Sequence, residues 1–256
     1  MATILGLDVG SMTTKAVVLQ EGAMVGWHLV ASAGDYRGAA ERAKNEVLEK
    51  SGVPEGKPSK VIVTGYGADL VAEADQKVSE IVAHSVGTHH LFSSVRTLIE
   101  VGGQSTRVAK VGARGKPLDF LISEKCAAGS GRMLQMIARV LQVRLEDIGP
   151  LSLRSRKPVN FTTSCAVFME SEAVSRVAEG SLKEDILAGI HEALASKIAN
   201  MTKRVGLQLD CAITGGGARD SGLVYRIQQT LGVDLLVPEM PQITAALGAA
   251  LNGDSV

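Results

Sequence analysis

Two stretches of the chain repeat one pattern, in which an apolar run, a glycine-centred turn and a second apolar run follow one another. The first covers residues 2–20 (ATILGLDVGSMTTKAVVLQ), and the second covers residues 97–112 (TLIEVGGQSTRVAKVG). Short apolar runs on either side of a glycine turn are typical of a β-hairpin. We therefore predict one hairpin near the start of each half of the chain.

The hydrophobic pattern continues each hairpin into further elements. In the first half it predicts a strand at 24–31, a helix at 37–50, a turn at 51–58, a strand at 61–67 and a mostly helical segment at 68–98. In the second half it predicts helices that start at Cys126 and Cys165, a long helix at 182–205, a strand at 211–217, a helix at 223–231, a short strand at 234–238 and a terminal helix at 243–251.

Strands and helices thus alternate in both halves, as expected of α/β lobes built by duplication. We predict a first lobe over residues 1–92 and a second lobe over residues 93–241, which carries both helix-initiating cysteines. The terminal helix in residues 242–256 is expected to pack back on the first lobe. No linker rich in Pro, Gly or Ser separates the lobes, so a shared interface and a hinge are expected.

Composition removes several classes of function. The 256 residues are 45% hydrophobic and 3% aromatic, with 27 basic and 27 acidic side chains. This balance favours neither nucleic acid nor an anionic membrane as a partner, and few aromatics are available to stack on bases. No apolar stretch approaches the ~20 residues needed to span a bilayer. Three cysteines are too few for a disulfide framework, so a cytoplasmic location is expected.

The turn of the first hairpin (residues 6–15, GLDVGSMTTK) is a candidate phosphate site. Backbone N–H groups of a glycine-bracketed turn can approach a phosphate closely, hydroxyl and ammonium groups add donors, and Asp8 can hold hydrated Mg²⁺. The candidate phosphate contacts are Gly10, Ser11, Thr13, Thr14 and Lys15. A tight hairpin whose glycines merely permit positive φ angles is the alternative.

Two further glycine clusters complete the candidate nucleotide contacts. The second hairpin turn offers the same geometry as the first, and two facing hairpins suggest a nucleotide clamped between the lobes. The third cluster lies between a strand and a helix, where a flat adenosine can rest against backbone without interference from Cβ atoms. The contacts in these clusters are Gly102, Gly103, Gln104, Gly215, Gly216, Gly217 and Ala218. We place Asp8, Glu100 and Gln104 near Mg²⁺ and the hydrolytic water.

Two cysteines point to a metal centre. Cys126 and Cys165 each open a predicted helix, where unpaired N–H groups and the helix dipole stabilise a thiolate and an anionic cluster. An iron–sulfur cluster held by cysteine normally takes four thiolates, so one chain supplies half of them and a two-fold dimer supplies all. Packing of both residues as small hydrophobes is the alternative. Cys211 lies in a predicted strand, where a packing role is favoured over ligation.

These motifs resemble those of a known superfamily. Three glycine sites in the order strand–turn–strand twice, then strand–GGG–helix, resemble the actin-like, sugar-kinase and Hsp70 ATPases. More narrowly, the chain resembles the ATP-dependent activators of 2-hydroxyacyl-CoA dehydratases, the ATPase subunits of benzoyl-CoA reductase and the reductases of double-cubane cluster proteins. The resemblance covers nearly the whole chain and rests on GLDVGSMTTK, SEIVAHSVGTHHLF, EVGGQSTR, EKCAAGSGRML, SCAVFMESEAVS, ITGGGARDSG and PQITAALGAAL.

The resemblance implies an actin-like ATPase fold and a homodimer with one 4Fe-4S cluster between its subunits, ligated by Cys126 and Cys165 of each. ATP or ADP with Mg²⁺ would bind between the lobes of each subunit, and nucleotide-driven closure would change the angle between the two cysteine helices. A low-potential electron, supplied by ferredoxin or flavodoxin, would pass to an iron–sulfur acyl-CoA dehydratase, an acyl-CoA reductase or a double-cubane protein. A paralogous chain in place of the second copy stays open.

Three residues depart from the pattern of that family. Typical members carry Asp where this chain has Glu100, Asp where it has Ser105 and Lys where it has Arg107. Glu100 is long enough to reach a metal-bound water, whereas loss of the second carboxylate is expected to alter Mg²⁺ binding or the hydrolysis rate.

Two other functions are compatible with this superfamily. A small-molecule kinase would phosphorylate a sugar or an acid in the same cleft, although no second motif with an obvious Asp base is present. An ATP-switched assembly protein without a cluster would form filaments when ATP is added. The iron content of anaerobically purified protein separates both from an activator.

Overall fold

The structure is a computed structural model that describes residues 3–53, 57–123, 130–162 and 165–254. Within these ranges the chain forms ten strands and eight α-helices. It divides into two compact units. Unit 1 comprises Met1–Val95, Val111–Leu118 and Pro238–Val256, and unit 2 comprises Arg96–Lys110 and Asp119–Val237. Among the described helices, none is both long and apolar enough to cross a membrane.

Unit 1 is built on a five-stranded mixed sheet in the order β3-β2-β1-β4-β5. Its elements are β1 (Thr3–Val9), β2 (Thr13–Gln20), β3 (Ala23–Ala31), α1 (Tyr36–Lys50), β4 (Lys60–Thr64), a 3₁₀ turn (Ala68–Leu70), β5 (Gln76–Lys77), α2 (Glu80–Leu91) and α8 (Thr244–Asp254). Strand β1 pairs antiparallel with β2 and parallel with β4.

Helices cover both faces of the unit 1 sheet. Successive residues of a strand point to opposite faces. Leu5 and its odd-numbered neighbours in β1 pack with Val47 of α1, whereas Ile4 packs with Ala250 of α8. Asp8 is an even-numbered residue of β1, like Ile4. Its carboxylate therefore lies on the face of the sheet that α8 covers, at the carboxyl end of β1.

The second sheet has the order β10-β9-β6-β7-β8. The remaining elements are β6 (Thr97–Val101), β7 (Thr106–Val111), β8 (Pro117–Ile122), α3 (Gly131–Val140), a 3₁₀ turn (Leu145–Asp147), α4 (Ile148–Ser152), α5 (Ala166–Ala178), α6 (Lys183–Val205), β9 (Cys211–Thr214), a 3₁₀ turn (Gly216–Arg219), α7 (Ser221–Leu231) and β10 (Leu235–Leu236). The core of unit 2 contains Ile99, Ile137, Ile190, Ile213 and Leu223.

The two sheets are copies of one topology. Read from the opposite edge, the second sheet has the order β8-β7-β6-β9-β10, so β1 corresponds to β6, β2 to β7 and β4 to β9. In each sheet the first strand pairs antiparallel with its hairpin partner and parallel with the later strand. The predicted duplication of an α/β lobe is therefore confirmed.

Both hairpins and the helices that correspond to α1, α6 and α7 are confirmed within two residues. The predicted terminal helix is confirmed but ends three residues later, at Asp254, whereas β4 and β9 end three residues before their predicted ends and α3 begins at Gly131 instead of Cys126. The mostly helical segment predicted at residues 68–98 is partly wrong, because it contains β5 and the start of β6 as well as α2. Strand β8 and the short helix α4 were not predicted. The long apolar stretches that define β1 and α6 are the easiest to predict, whereas two-residue strands such as β5 carry no periodic signal.

Candidate functional site

The first hairpin turn brings a carboxylate and an ammonium group together. Nζ of Lys15 donates to Oδ2 of Asp8 at 2.8 Å and to the carbonyl oxygen of Thr13 at 3.2 Å. Asp8 is the last but one residue of β1 and pairs with Lys15 across the hairpin, which explains the contact. Gly10 packs closely against this contact. A Cβ at this position would lie 2.7 Å from the Thr13 carbonyl oxygen and 3.1 Å from Nζ of Lys15.

A serine that the sequence did not single out braces the same turn. Oγ of Ser32 donates to the carbonyl oxygen of Gly10 at 2.7 Å, and its backbone N–H donates to that of Met12 at 3.0 Å. Oγ1 of Thr14 lies 2.9 Å from Oγ of Ser32. Because Ser32 has one hydroxyl proton and gives it to Gly10, Thr14 must be the donor of this bond. Thr14 thus stabilises the turn from the interior, while Ser11 and Thr13 are partly exposed.

A second turn of unit 1, which the sequence analysis missed, contacts the same carboxylate. This turn, at residues 65–67, follows β4, whose last residue, Thr64, pairs with Asp8. Gly65 has a φ angle of 96°, and a Cβ at this position would lie 2.5 Å from Oδ1 of Asp8. Only glycine fits this position. The TGYG sequence could have been recognised by its similarity to the TGGG sequence in the second half.

The second hairpin turn repeats this arrangement with longer side chains. Nη1 of Arg107 donates to Oε2 of Glu100 at 2.8 Å, and Glu100 is nearly fully buried. The N–H of Gly102 donates to the carbonyl oxygen of Ser105 at 2.9 Å and closes the turn. A Cβ at Gly102 would overlap Oε1 of Glu100. Gln104 is exposed at the tip of the turn.

The glycine turn after β9 lies against the same part of unit 2. Gly215 has a φ angle of 82° and a ψ angle of −179°, and a Cβ there would lie 2.5 Å from the carbonyl oxygen of Val101 and 3.2 Å from Oε1 of Glu100. Gly217 and Ala218 are buried, whereas Gly216 is exposed and offers bare backbone to solvent.

Asp220 anchors the end of this glycine turn. Its Oδ1 accepts from the N–H groups of Gly222 at 3.0 Å and Leu223 at 3.1 Å and so caps α7. Behind it, Nε2 of the buried His191 lies 3.0 Å from Oδ2 of Asp220, although the two atoms are not aligned for a hydrogen bond. Nδ1 of His191 lies 2.9 Å from Oγ of Ser152. The turn therefore rests on a buried polar cluster that the sequence analysis did not identify.

The start of α3 is hydrogen-bonded to the second hairpin turn. The N–H of Gly131 donates to the carbonyl oxygen of Gly102 at 2.8 Å, and the N–H of Arg132 donates to that of Gly103 at 3.0 Å. These donors belong to the first turn of the helix and have no partner within it. Ser130 occupies the N-cap position of α3, but its side chain makes no capping bond.

The cysteines lie in different environments. Cys165 is at the N-cap of α5 and partly exposed, as the prediction of a helix start requires. Cys211 is buried in β9, and burial raises the pKa of its thiol to about 12, which supports a packing role. Cys126 lies outside the described residues. Within the described ranges, no cluster of three or more His, Cys, Asp or Glu side chains is arranged to hold a metal ion.

Comparisons with known proteins find relatives that are named as activators of acyl-CoA dehydratases. The 2-hydroxyisocaproyl-CoA dehydratase activator of Clostridioides difficile is 37% identical over 247 residues, which cover 96% of this chain and 93% of that protein. A crystal structure of the Acidaminococcus fermentans (R)-2-hydroxyglutaryl-CoA dehydratase component A superposes with a TM-score of 0.93 at 36% identity, over 98% of this chain and 97% of that one.

A second solved structure carries a nucleotide. The activator of the 2-hydroxyisocaproyl-CoA dehydratase from Clostridium difficile with bound ADPNP superposes with a TM-score of 0.91 at 35% identity, over 98% of this chain and 93% of that one. The predicted actin-like ATPase fold and the resemblance to dehydratase activators are confirmed. Residues 5–253 match the model of one family, so the chain belongs to the BadF/BadG/BcrA/BcrD ATPase family.

Proposed function

We propose that this chain is an ATP-dependent activator that works as a homodimer around one 4Fe-4S cluster and passes a low-potential electron to a partner enzyme. Four thiolates, Cys126 and Cys165 from each protomer, would hold the cluster. The proposal extends the ATPase activity of the family to electron transfer. The small-molecule kinase and the cluster-free assembly protein are not favoured by the relatives, which are named as dehydratase activators.

The observation that carries the proposal is the pair of hydrogen bonds between α3 and the second hairpin turn. The carbonyl oxygens of Gly102 and Gly103 accept from the N–H groups of Gly131 and Arg132. In the same turn, the N–H of Gly103 and the side chain of Gln104 are the groups proposed to face phosphate, since the N–H of Gly102 already donates to Ser105. A shift of this turn when phosphate binds would therefore be transmitted directly to the start of α3, five residues after Cys126.

Of the two cysteines that the structure describes, Cys165 fits the proposed cluster in chemistry and Cys211 does not. Cys165 begins α5, where unpaired N–H groups favour an anionic ligand, and its partial exposure lets a second copy approach. Cys211 is unsuited because it is buried in a strand and its pKa is raised to about 12. When bound, the cluster would supply a one-electron centre whose potential depends on charge, hydrogen bonds to sulfur and solvent exposure.

The segment before Cys165 is tied to α5 by side chains. Glu172 accepts from the backbone N–H of Thr162 at 3.2 Å and from its hydroxyl at 3.1 Å, and it also pairs with Arg176 at 3.2 Å. These bonds fix the chain on the N-terminal side of Cys165 to the second turn of the helix that Cys165 opens. Their role in the proposal is to make the cysteine move with its helix.

The nucleotide chemistry is assigned to the turns. In unit 1, backbone amides of Gly10 and Ser11, with Thr13 and Lys15, would bind phosphate, and Asp8 would hold Mg²⁺ through water. Gly10 and Gly65 pack closely around the Asp8 carboxylate and leave its position fixed, which fits a role in holding hydrated Mg²⁺. In unit 2, Glu100 and Gln104 would orient the hydrolytic water, and residues 215–218 would carry the adenosine.

The names of the relatives support a proposal for the partners. The partner enzyme would be an iron–sulfur 2-hydroxyacyl-CoA dehydratase, a benzoyl-CoA reductase or a double-cubane protein, since relatives are named for the first two. Ferredoxin or flavodoxin would supply the electron. A cytoplasmic location is proposed because the thiolate ligands require a reducing compartment.

Anaerobic purification tests the proposal directly. We expect about four iron and four sulfide ions per dimer, with the dimer mass obtained from light scattering. C126A and C165A are each expected to lose most of the iron, because each removes two of the four ligands of the dimer. The buried Cys211 provides the matched control, and C211A is expected to keep full iron content. Metal-free wild-type protein, or equal iron in all three variants, would contradict the proposal.

A further inference from the structure

One buried hydroxyl near the first hairpin turn makes no hydrogen bond within the described part of the chain. Thr64 ends β4 and is 0% exposed, and its Oγ1 has no hydrogen-bond partner among the described residues. Burying an unpaired hydroxyl lowers the stability of a protein, and valine would fill the same volume without that penalty. Such a group is expected to have a partner that the free chain does not contain.

The hydroxyl lies beside the carboxylate of Asp8. Thr64 and Asp8 are paired in the parallel register of β4 and β1, so their side chains point to the same face of the sheet. Oδ2 of Asp8 accepts from Lys15, whereas Oδ1 faces Gly65 and accepts no hydrogen bond from any described residue. An acceptor oxygen and an unpaired hydroxyl therefore lie next to each other at the carboxyl end of the sheet.

Helix α8 covers this face with its N-terminal end toward the pair. A Cβ at Gly253, near the end of α8, would contact Ile4, whereas a Cβ at Gly6 would meet the backbone of Ala246 and Ala250. The helix therefore runs antiparallel to β1, and its start lies at the end of the strand that carries Asp8. The positive end of the helix dipole favours an anionic ligand there.

In the internal repeat, the turn after β4 of unit 1 corresponds to the turn after β9 of unit 2. Thr214 ends β9 and pairs with Glu100 in the same register in which Thr64 pairs with Asp8. The glycine turn that follows Thr214 is the candidate adenosine site. The turn that follows Thr64 has the same T-G-x-G sequence and the same 3₁₀ continuation, so it occupies the corresponding position in unit 1.

We propose that Thr64 is a positioning residue of the magnesium–nucleotide site, and that its hydroxyl hydrogen-bonds the water shell of a Mg²⁺–diphosphate group beside Asp8. This inference rests on the proposed nucleotide site of unit 1. A hydroxyl can accept one hydrogen bond and donate another, so it can orient a water toward Oδ1 of Asp8. Gly65 keeps the space beside Oδ1 of Asp8 free of a Cβ.

Isosteric replacement tests the inference. T64V is expected to weaken the affinity for ADP in the presence of Mg²⁺ about tenfold and to leave it within twofold in EDTA, as measured by calorimetry. T64S, which restores the hydroxyl, is expected to stay within about twofold of the wild type. In the nucleotide-free protein, T64V is expected to raise the melting temperature by about 3 °C, because it removes an unpaired hydroxyl.

Thr88 is the matched control. It is equally buried in unit 1, but its Oγ1 donates to the carbonyl oxygen of His84 at 2.7 Å. T88V is therefore expected to lower the melting temperature and to leave ADP affinity unchanged. A T64V protein that melts earlier than the wild type, or loses affinity equally in Mg²⁺ and EDTA, would overturn the inference. Failure of the proposed function is distinguishable, because wild-type protein would then bind no nucleotide or no iron.

Discussion

The hairpin turn of unit 1 and the hairpin turn of unit 2 share a backbone and differ in chemistry. Each places a carboxylate on the first strand against a cation on the second, Asp8 with Lys15 and Glu100 with Arg107, and both contacts measure 2.8 Å. Each also lies beside a T-G-x-G turn whose first glycine has a positive φ angle. The two units therefore share the strand pairing around the carboxylate and the glycines that leave space for it.

The side chains that differ fit the separate roles that we propose for the two turns. Unit 1 has the shorter carboxylate and a compact ammonium group, whereas unit 2 has the longer carboxylate and a planar guanidinium group. Unit 1 presents Tyr66, which is 65% exposed and packs against Tyr36 with ring centroids 5.5 Å apart. Unit 2 presents Gly216 at the corresponding place. A bare backbone suits a flat adenosine, and a short carboxylate beside a hydroxyl suits a hydrated cation.

Alanine at the first glycine of each T-G-x-G turn gives the largest expected effect. G215A is expected to lower the free energy of unfolding by about 3 kcal/mol, because its backbone angles are available only to glycine and a Cβ would contact Val101. G65A is expected to cost about 2 kcal/mol, because its Cβ would displace Asp8. Denaturant unfolding measures both.

Gly180 provides a reference for a positive φ angle without crowding in that experiment. It has the same φ angle of 82° as Gly215, but a Cβ there would contact nothing within 4 Å. G180A is expected to cost about 1 kcal/mol, which is the conformational cost alone. Equal losses at Gly180 and Gly215 would show that the close packing of the turn on Val101 does not matter for stability.

Neutralising the two carboxylates tests whether their roles differ. E100Q is expected to lower kcat for ATP hydrolysis about 100-fold, because an amide cannot accept a proton from water. D8N is expected to weaken ADP binding in the presence of Mg²⁺ about tenfold, because a charged ligand of the metal-bound water is lost. Steady-state ATPase assays and calorimetry measure the two effects.

Glu100→Asp provides the conservative control, since it keeps the carboxylate and shortens the side chain by one methylene group. E100D is expected to retain hydrolysis within about tenfold of the wild type, whereas E100Q is not. If D8N and E100Q gave the same pattern of binding and hydrolysis, the division of labour between the turns would be wrong.

The elements that the two units share could be predicted from sequence only where apolar runs and glycine clusters occur together. Both hairpins and the TGGG turn follow buried strands and were predicted. The TGYG turn was assigned to a strand with no further role, because Tyr66 interrupts the glycine cluster. Ser32, which braces the first turn from the end of β3, lies 22 residues from its acceptor Gly10. No local pattern connects such residues, since their contact depends on the pairing of β2 with β3.

Exchange of the middle residues of the T-G-x-G turns sharpens the comparison further. G216Y is expected to weaken ATP binding about tenfold while leaving the melting temperature unchanged, because Gly216 is exposed and a ring would cover the proposed adenosine surface. Y66G is expected to leave ATP affinity within about twofold and to cost about 1 kcal/mol in stability through loss of the Tyr36 contact. Equal loss of affinity in both variants would contradict the assignment of adenosine to unit 2.

Exchange of the two cations gives the smallest expected effect. R107K is expected to change kcat and ADP affinity by less than about twofold, because lysine retains the charge beside Glu100. K15R is expected to weaken ADP affinity about threefold, because Gly10 and the Thr13 carbonyl enclose Nζ of Lys15 and leave little room for the larger guanidinium group. Calorimetry at matched ionic strength measures both. A larger loss of ADP affinity in R107K than in K15R would contradict this expectation. It would show that the guanidinium group of Arg107, and not only its charge, is needed beside Glu100.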